Sequence, residues 1–206
     1  MMNAAIIDIQ CVVAGLTLRG QLGRDGASQI GERIVLAAGA AGTVSDEGFS
    51  GGVENLPAGH GLQAADWVDI HWTDDDGSHK CAREAIVATA DADSITFEVH
   101  EPVGDLPIPD VGGAVVVSKQ QTITAAFDGD DAQLVAVRAT ERAMADFRTA
   151  SASLAAVKLA GGEGWCWAAD SGIANPLTGN PVASVRTSNG STTPAVLTLG
   201  VLHSPP

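Results

Sequence analysis

The chain has 206 residues, enough for one large β domain or two small ones that each bury a core. Its formal net charge of −14 argues against free nucleic acid as a partner, because phosphate binding needs a basic footprint. Three widely separated cysteines (Cys11, Cys81 and Cys166) with no CxxC pair argue against a disulfide framework and for buried free thiols.

Taken in chain order, the N-terminal stretch has no basic n-region and carries Asp8, so it does not read as a secretory signal. No long apolar run reads as a membrane span. Ile6 to Leu18 reads as one or two strands, with Ile7, Ile9, Cys11 and Val13 on one face. Asp25-Gly26 is a turn signal, and Ile34 to Leu36 centres a short strand. Gly39 to Gly52 is small, polar and glycine-rich and reads as a loop or boundary. From His60 to Val117 the pattern is regular. Val68, Ile70 and Trp72 alternate with Trp67, Asp69 and His71, the period of a strand. Asp74, Asp75, Asp76 and Gly77 form a turn, and further strands run through Ile86, Ser94–His100 and Ala114–Ser118, as in a small barrel. Ile123, Ala125 and Phe127 alternate again. Residues 138–150 fit a helix or a strand. Trp165 and Trp167 share a strand face, and Val182 to Val201 reads as a hairpin around Asn189-Gly190.

Candidate chemistry is sparse. His71, His79 and Cys81 could converge across a turn, but a structural zinc site takes four ligands and no fourth has strand-pair spacing. His71 shares its face with Trp67 and Asp69, which reads as a solvated face. Asp74, Asp76 and Gly77 resemble part of a calcium loop, yet Arg83 stands where the terminal Glu belongs. "GFSGG" matches G-x-S-x-G at Ser50, but no apolar strand precedes it and no helix pattern follows. No catalytic residue, metal or cofactor is therefore expected. Trp165 and Trp167, or Trp67 and Trp72, could stack on a sugar, although such pairs commonly pack a sheet or a subunit contact.

Two segments resemble known proteins. "HGLQAADWVDIHW…AREAIVATADADSITFEVHEPVGDLP…AVVVS" resembles a small β-module common in tailed-phage and prophage virion proteins, with Ala65-Asp66 where Gly-Asp is usual. "VKLAGGEGWCWAADSGIANPLTGNPVASVRTSNGSTTPAVLTLGVLHSPP" resembles the C-terminal half of small phage structural proteins. The resemblance implies an all-β chain: a discontinuous β-sandwich (jelly-roll or Ig-like) of residues 1–42 and 119–206, with a small β-barrel of residues 43–118 inserted. It implies a non-enzymatic virion component, a capsid decoration or cement protein or a neck or tail accessory, made in the host cytoplasm and present in many symmetric copies. Its partners would be other virion proteins and copies of itself, with neither free nucleic acid nor membrane. The alternative is a carbohydrate-binding module that meets a glycan on a host surface. Trp165, Trp167, Val196 and Leu199 are the expected docking side. The turn of Asp74, Asp75 and Asp76 is expected to face outward, because three adjacent carboxylates are costly to desolvate.

Overall fold

A computed structural model describes residues 7–13, 16–22, 28–105, 107–169, 171–179 and 181–203, with side chains from residue 31 onward except at 100–103 and 203. The Asp25-Gly26 turn and the facing of Ile7, Ile9, Cys11 and Val13 lie outside what is described.

The chain is all-β. A hairpin pairs β1 (Ile7–Val13) with β2 (Leu16–Leu22). β3 (Ser28–Leu36) follows, and the chain then builds a closed barrel of six strands: β4 (Ala40–Asp46), β5 (Ser50–Glu54), β6 (Trp67–Thr73), β7 (His79–Ala90), β8 (Ile95–Gly104) and β9 (Ala114–Lys119). Around the barrel the order is β4-β5-β8-β7-β6-β9, and β9 closes onto β4. The remaining strands are β10 (Gln121–Ile123), β11 (Phe127–Asp128), β12 (Ala132–Ala139), β13 (Ala143–Arg148), β14 (Ser153–Leu159), β15 (Gly164–Ala168), β16 (Pro181–Val182), β17 (Ser184–Asn189) and β18 (Ala195–His203). They form two four-stranded sheets, β10-β17-β13-β14 and β15-β12-β18-β3, while β11 pairs with β16.

Period-two alternation explains both cores. Val68, Ile70 and Trp72 of β6 point into the barrel with Val53, Phe97 and Val117. Ala195, Leu197, Leu199 and Val201 of β18 point between the two sheets, where they meet Val135, Val137, Phe147 and Trp167. β13 is buried on both faces. Ala143, Ala145 and Phe147 enter the sandwich core, and Met144, Asp146 and Arg148 on the opposite face are also covered.

Three sequence expectations change. The glycine-rich stretch from Gly39 to Gly52 is not a loop, since it carries β4 and the start of β5. Glycine serves close packing there: a Cβ on Gly51 would stand 2.6 Å from Phe97 Cζ and 2.7 Å from the Asp46 carbonyl oxygen. Residues 138–150 contain no helix. β12 ends at Ala139, the chain bends, and β13 begins in the opposite sheet. Val182 to Val201 is not a hairpin either, because β17 pairs with β10 and β13 while β18 pairs with β12 and β3. The Asn189-Gly190 turn carries the chain from one sheet to the other.

Candidate functional site: a buried polar seam

The outer face of the β6–β7 hairpin meets the β17-β13-β14 side of the sandwich. Because Val68, Ile70 and Trp72 face into the barrel, Asp69 and His71 must face out. Cys81 lies opposite His71 in the antiparallel register and shares that face. A bulge sits between Val68 and Ile70 opposite residues 83 and 84. Ala82 and Ala85 both pack in the barrel core, so the two intervening residues, Arg83 and Glu84, turn outward together. Glu84 takes the positive φ of 64° that this costs, and its N–H donates to Asp69 Oδ1 at 3.3 Å.

The middle of this outer face is not solvated, although Trp67 at its start is 38% exposed. His71 is 0% exposed, Asp69 3%, Arg83 7% and Glu84 5%. The solvated-face reading of His71 is therefore corrected: a second β unit covers it. Two networks fill the seam. In the first, His71 Nδ1 lies 3.0 Å from His79 Nε2, and His71 Nε2 lies 3.0 Å from Ser188 Oγ. Ser188 Oγ donates to Asp69 Oδ2 at 2.5 Å, and Gln120 Nε2 donates to Asp69 Oδ1 at 2.7 Å. The two imidazoles stack with centroids 5.3 Å apart. Gly190 closes this network, since a Cβ there would stand 3.1 Å from both His71 Nδ1 and His79 Nε2. In the second network, Arg83 pairs with Asp146 at 3.1 Å and Arg148 with Asp146 at 2.8 Å. Glu84 receives both Arg148 and Arg186, the latter at 3.2 Å. Arg186 also lies 5.6 Å from the centroid of the Trp67 ring.

Burial governs the proton affinities. Desolvation, helped by nearby His79 and Arg142, lowers the His71 pKa to about 3. Desolvation first, then Arg142 and Lys158, lowers His79 to about 4. Desolvation raises Asp69 against the bonds from Ser188 and Gln120, and it pushes the Cys81 thiol well up. Both imidazoles are neutral at pH 7, and Cys81 is a protonated, unreactive thiol. Ser188, His71 and Asp69 are not arranged as a nucleophilic triad. A triad acid holds the far nitrogen of the histidine. Here His79 occupies that nitrogen and Asp69 holds the serine instead. The donor atoms of Asp69, His71 and Cys81 lie within 4.8 Å of one another, a grouping that could hold a metal ion.

The residues singled out in the sequence fall elsewhere. Trp167 and Leu199 belong to the sandwich core, so they do not form an exposed docking side. Trp165 is half-buried and packs on that core beside Phe147, and Val196 is half-buried. Asp74, Asp75 and Asp76 sit in an exposed turn, where Asp76 Oδ1 accepts from the Ser78 N–H at 2.8 Å. Ser50 is exposed at the start of a strand, without an elbow geometry. Trp72 is nearly buried in the barrel, at one wall of a cleft of about 600 Å³ that also takes in Asp74, Asp75, Lys80 and Asp105. Cys166 is disulfide-bonded, which corrects the free-thiol expectation for that residue, while Cys81 is free and buried.

The sequence reading missed Asp69, Arg83, Glu84, Asp146, Arg148 and Ser188. One signal was present: "RAMADFR" alternates apolar core residues with Met, Asp and Arg, which marks a strand with a second face to satisfy. No family model, no curated protein and no solved structure matches this chain.

Proposed function

We propose that the chain is a non-enzymatic structural component of a tailed-phage virion, either a capsid decoration protein or a neck or tail accessory present in many symmetric copies. The observation that supports this reading is where the polar chemistry lies. Its buried His71, arginines and carboxylates tie one β unit to the other, instead of lining an open cleft as reacting groups would. Large apolar side chains reach solvent at separate points: Phe49 at the β4–β5 turn and Val111 before β9, at one end of the barrel, and Val35 and Ile173 on the sandwich. Such points suit contacts with neighbouring subunits that cover them. The docking side proposed here is accordingly the exposed apolar tips, with Trp165 and Trp167 acting from within as supports.

The test is electron cryo-microscopy of purified particles from a host that carries the gene. The expected result is density for the chain at symmetry-related positions. Absence of the chain from purified particles would sink the reading. A second reading, glycan binding, draws on the cleft that Trp72 borders among Asp74, Asp75 and Asp105. Binding of the isolated chain to defined glycans on an array, lost in Trp72→Ala, would favour it instead.

A further inference from the structure

We propose that Asp69, His71 and Cys81 form a site for one zinc-class transition-metal ion, with the Ser188 hydroxyl as a fourth donor, so that a single ion clips the barrel to the sandwich. The donor set is one oxygen, one nitrogen and one sulfur from fixed strand positions. Asp69 and His71 are two residues apart on the outer face of β6, and Cys81 is the cross-strand partner of His71. Their donor atoms already lie within 4.8 Å of one another. A tetrahedral ion with bonds of about 2.0–2.3 Å spaces its ligands roughly 3.5 Å apart, so side-chain torsions need to close by about 1 Å. Ser188 Oγ stands between two of the donors, 3.0 Å from His71 Nε2 and 2.5 Å from Asp69 Oδ2.

The surroundings fit such an ion. A metal-binding histidine normally holds its other nitrogen on a hydrogen-bond partner, and His79 Nε2 is in contact with His71 Nδ1 at 3.0 Å. When His71 Nε2 holds the ion, His71 Nδ1 carries the proton and donates to His79 Nε2, and the His79 proton moves to its far nitrogen, which is buried near the Leu159 backbone. Asp69 hydrogen-bonds only neutral donors (Ser188, Gln120 and a backbone N–H), while the seam arginines pair with Asp146 and Glu84. A carboxylate and a thiolate together balance a divalent charge. Thiolate and imidazole select zinc, cobalt and their neighbours over magnesium and calcium, which take all-oxygen shells. Binding displaces the Cys81 proton, and that of Asp69 where it is held, to solvent, with no change of oxidation state. This proposal stands apart from the virion reading, because it concerns how the chain holds itself together.

Cobalt(II) is the probe, added both to the native full chain and during refolding from urea, without thiol reductant. The expected result is a sulfur-to-cobalt charge-transfer band in the near ultraviolet, together with the intense visible bands of a four-coordinate ion. Both should saturate at one ion per chain and be bleached by zinc(II). Cys81→Ser should remove the near-ultraviolet band, and Asp69→Asn should weaken binding by at least about tenfold. If both loadings give nothing but the weak spectrum of hydrated cobalt, the proposal is overturned, and that measurement uses the wild-type chain alone, so it holds even if a variant fails to fold. A charge-transfer band that survives Cys81→Ser, or unchanged affinity in Asp69→Asn, overturns it as well.

Discussion

The two cores and the seam between them are held by different physics. The sandwich core, built on Phe147, Leu197 and Leu199, and the barrel core, built on Phe97, Ile70 and Val53, are apolar and non-directional. Such cores accept many packings of similar volume. The seam is buried to the same degree but consists of Asp69, His71, Arg83, Glu84, Asp146, Arg148 and Ser188. Each of these groups has specific partners, and a shift between the units would leave charges in low dielectric without them. The cores therefore supply most of the folding free energy, and the seam selects one orientation. β13 shows both on a single strand: Phe147 enters the sandwich core, and Asp146 and Arg148 on either side of it enter the seam.

The largest effect expected from testing this contrast comes from removing one seam charge. Glu84→Gln leaves Arg148 and Arg186 without the carboxylate they share and should cost about 3–5 kcal/mol, read from the urea midpoint. Replacing Glu84 and Arg148 together by Leu and Met should recover much of that loss. If the single change costs nothing, the seam is not desolvated and the contrast fails.

A smaller effect should appear with pH. The folded chain keeps His71 neutral down to about 3 and His79 to about 4, whereas unfolded histidine titrates near 6.5. As pH falls through about 6.5, the unfolded chain binds protons that the folded chain refuses, so stability declines. The slope is up to about 1.4 kcal/mol per pH unit for His71 and less for His79, which is partly exposed. Asp69 has the opposite sign. Its raised pKa makes the folded chain bind the proton more tightly, so its contribution fades as pH rises above about 3.8 and softens the slope. Urea unfolding between about pH 6.5 and 5 should show the decline, and His71→Gln should make it shallower, leaving the share due to His79. A flat wild-type profile would mean that the imidazoles are not desolvated.

The smallest effect is expected outside the seam. Asp74, Asp75 and Asp76 changed together to Ser should leave the urea midpoint where it is, because this exposed turn joins neither core nor seam. A clear drop would show that acidic residues contribute alike in the exposed turn and in the seam, and the contrast between them would fail.

The sequence by itself determined the all-β class, the alternation of β6 and β18 and the Asp74–Gly77 turn, because each depends on a local rule: side chains alternate along a strand, and Asp and Gly favour tight turns. It did not determine which strands share a sheet. β17 and β18 flank an Asn-Gly turn as hairpin strands do, yet they join opposite sheets, because pairing with distant β13 and β12 outweighs the local turn signal. Nor did it determine that Gly42, Gly51 and Gly52 lie in strands, since the need for a missing Cβ arises only where Val53, Phe97 and Ser45 press close. Alternation tells which residues share a face, but it does not tell what that face meets. Trp67, Asp69 and His71 alternate with core residues as a solvated face would. Only the tertiary structure, by laying Ser188 of β17 and the following Gly190 against this face, buried Asp69 and His71 between the barrel and the sandwich.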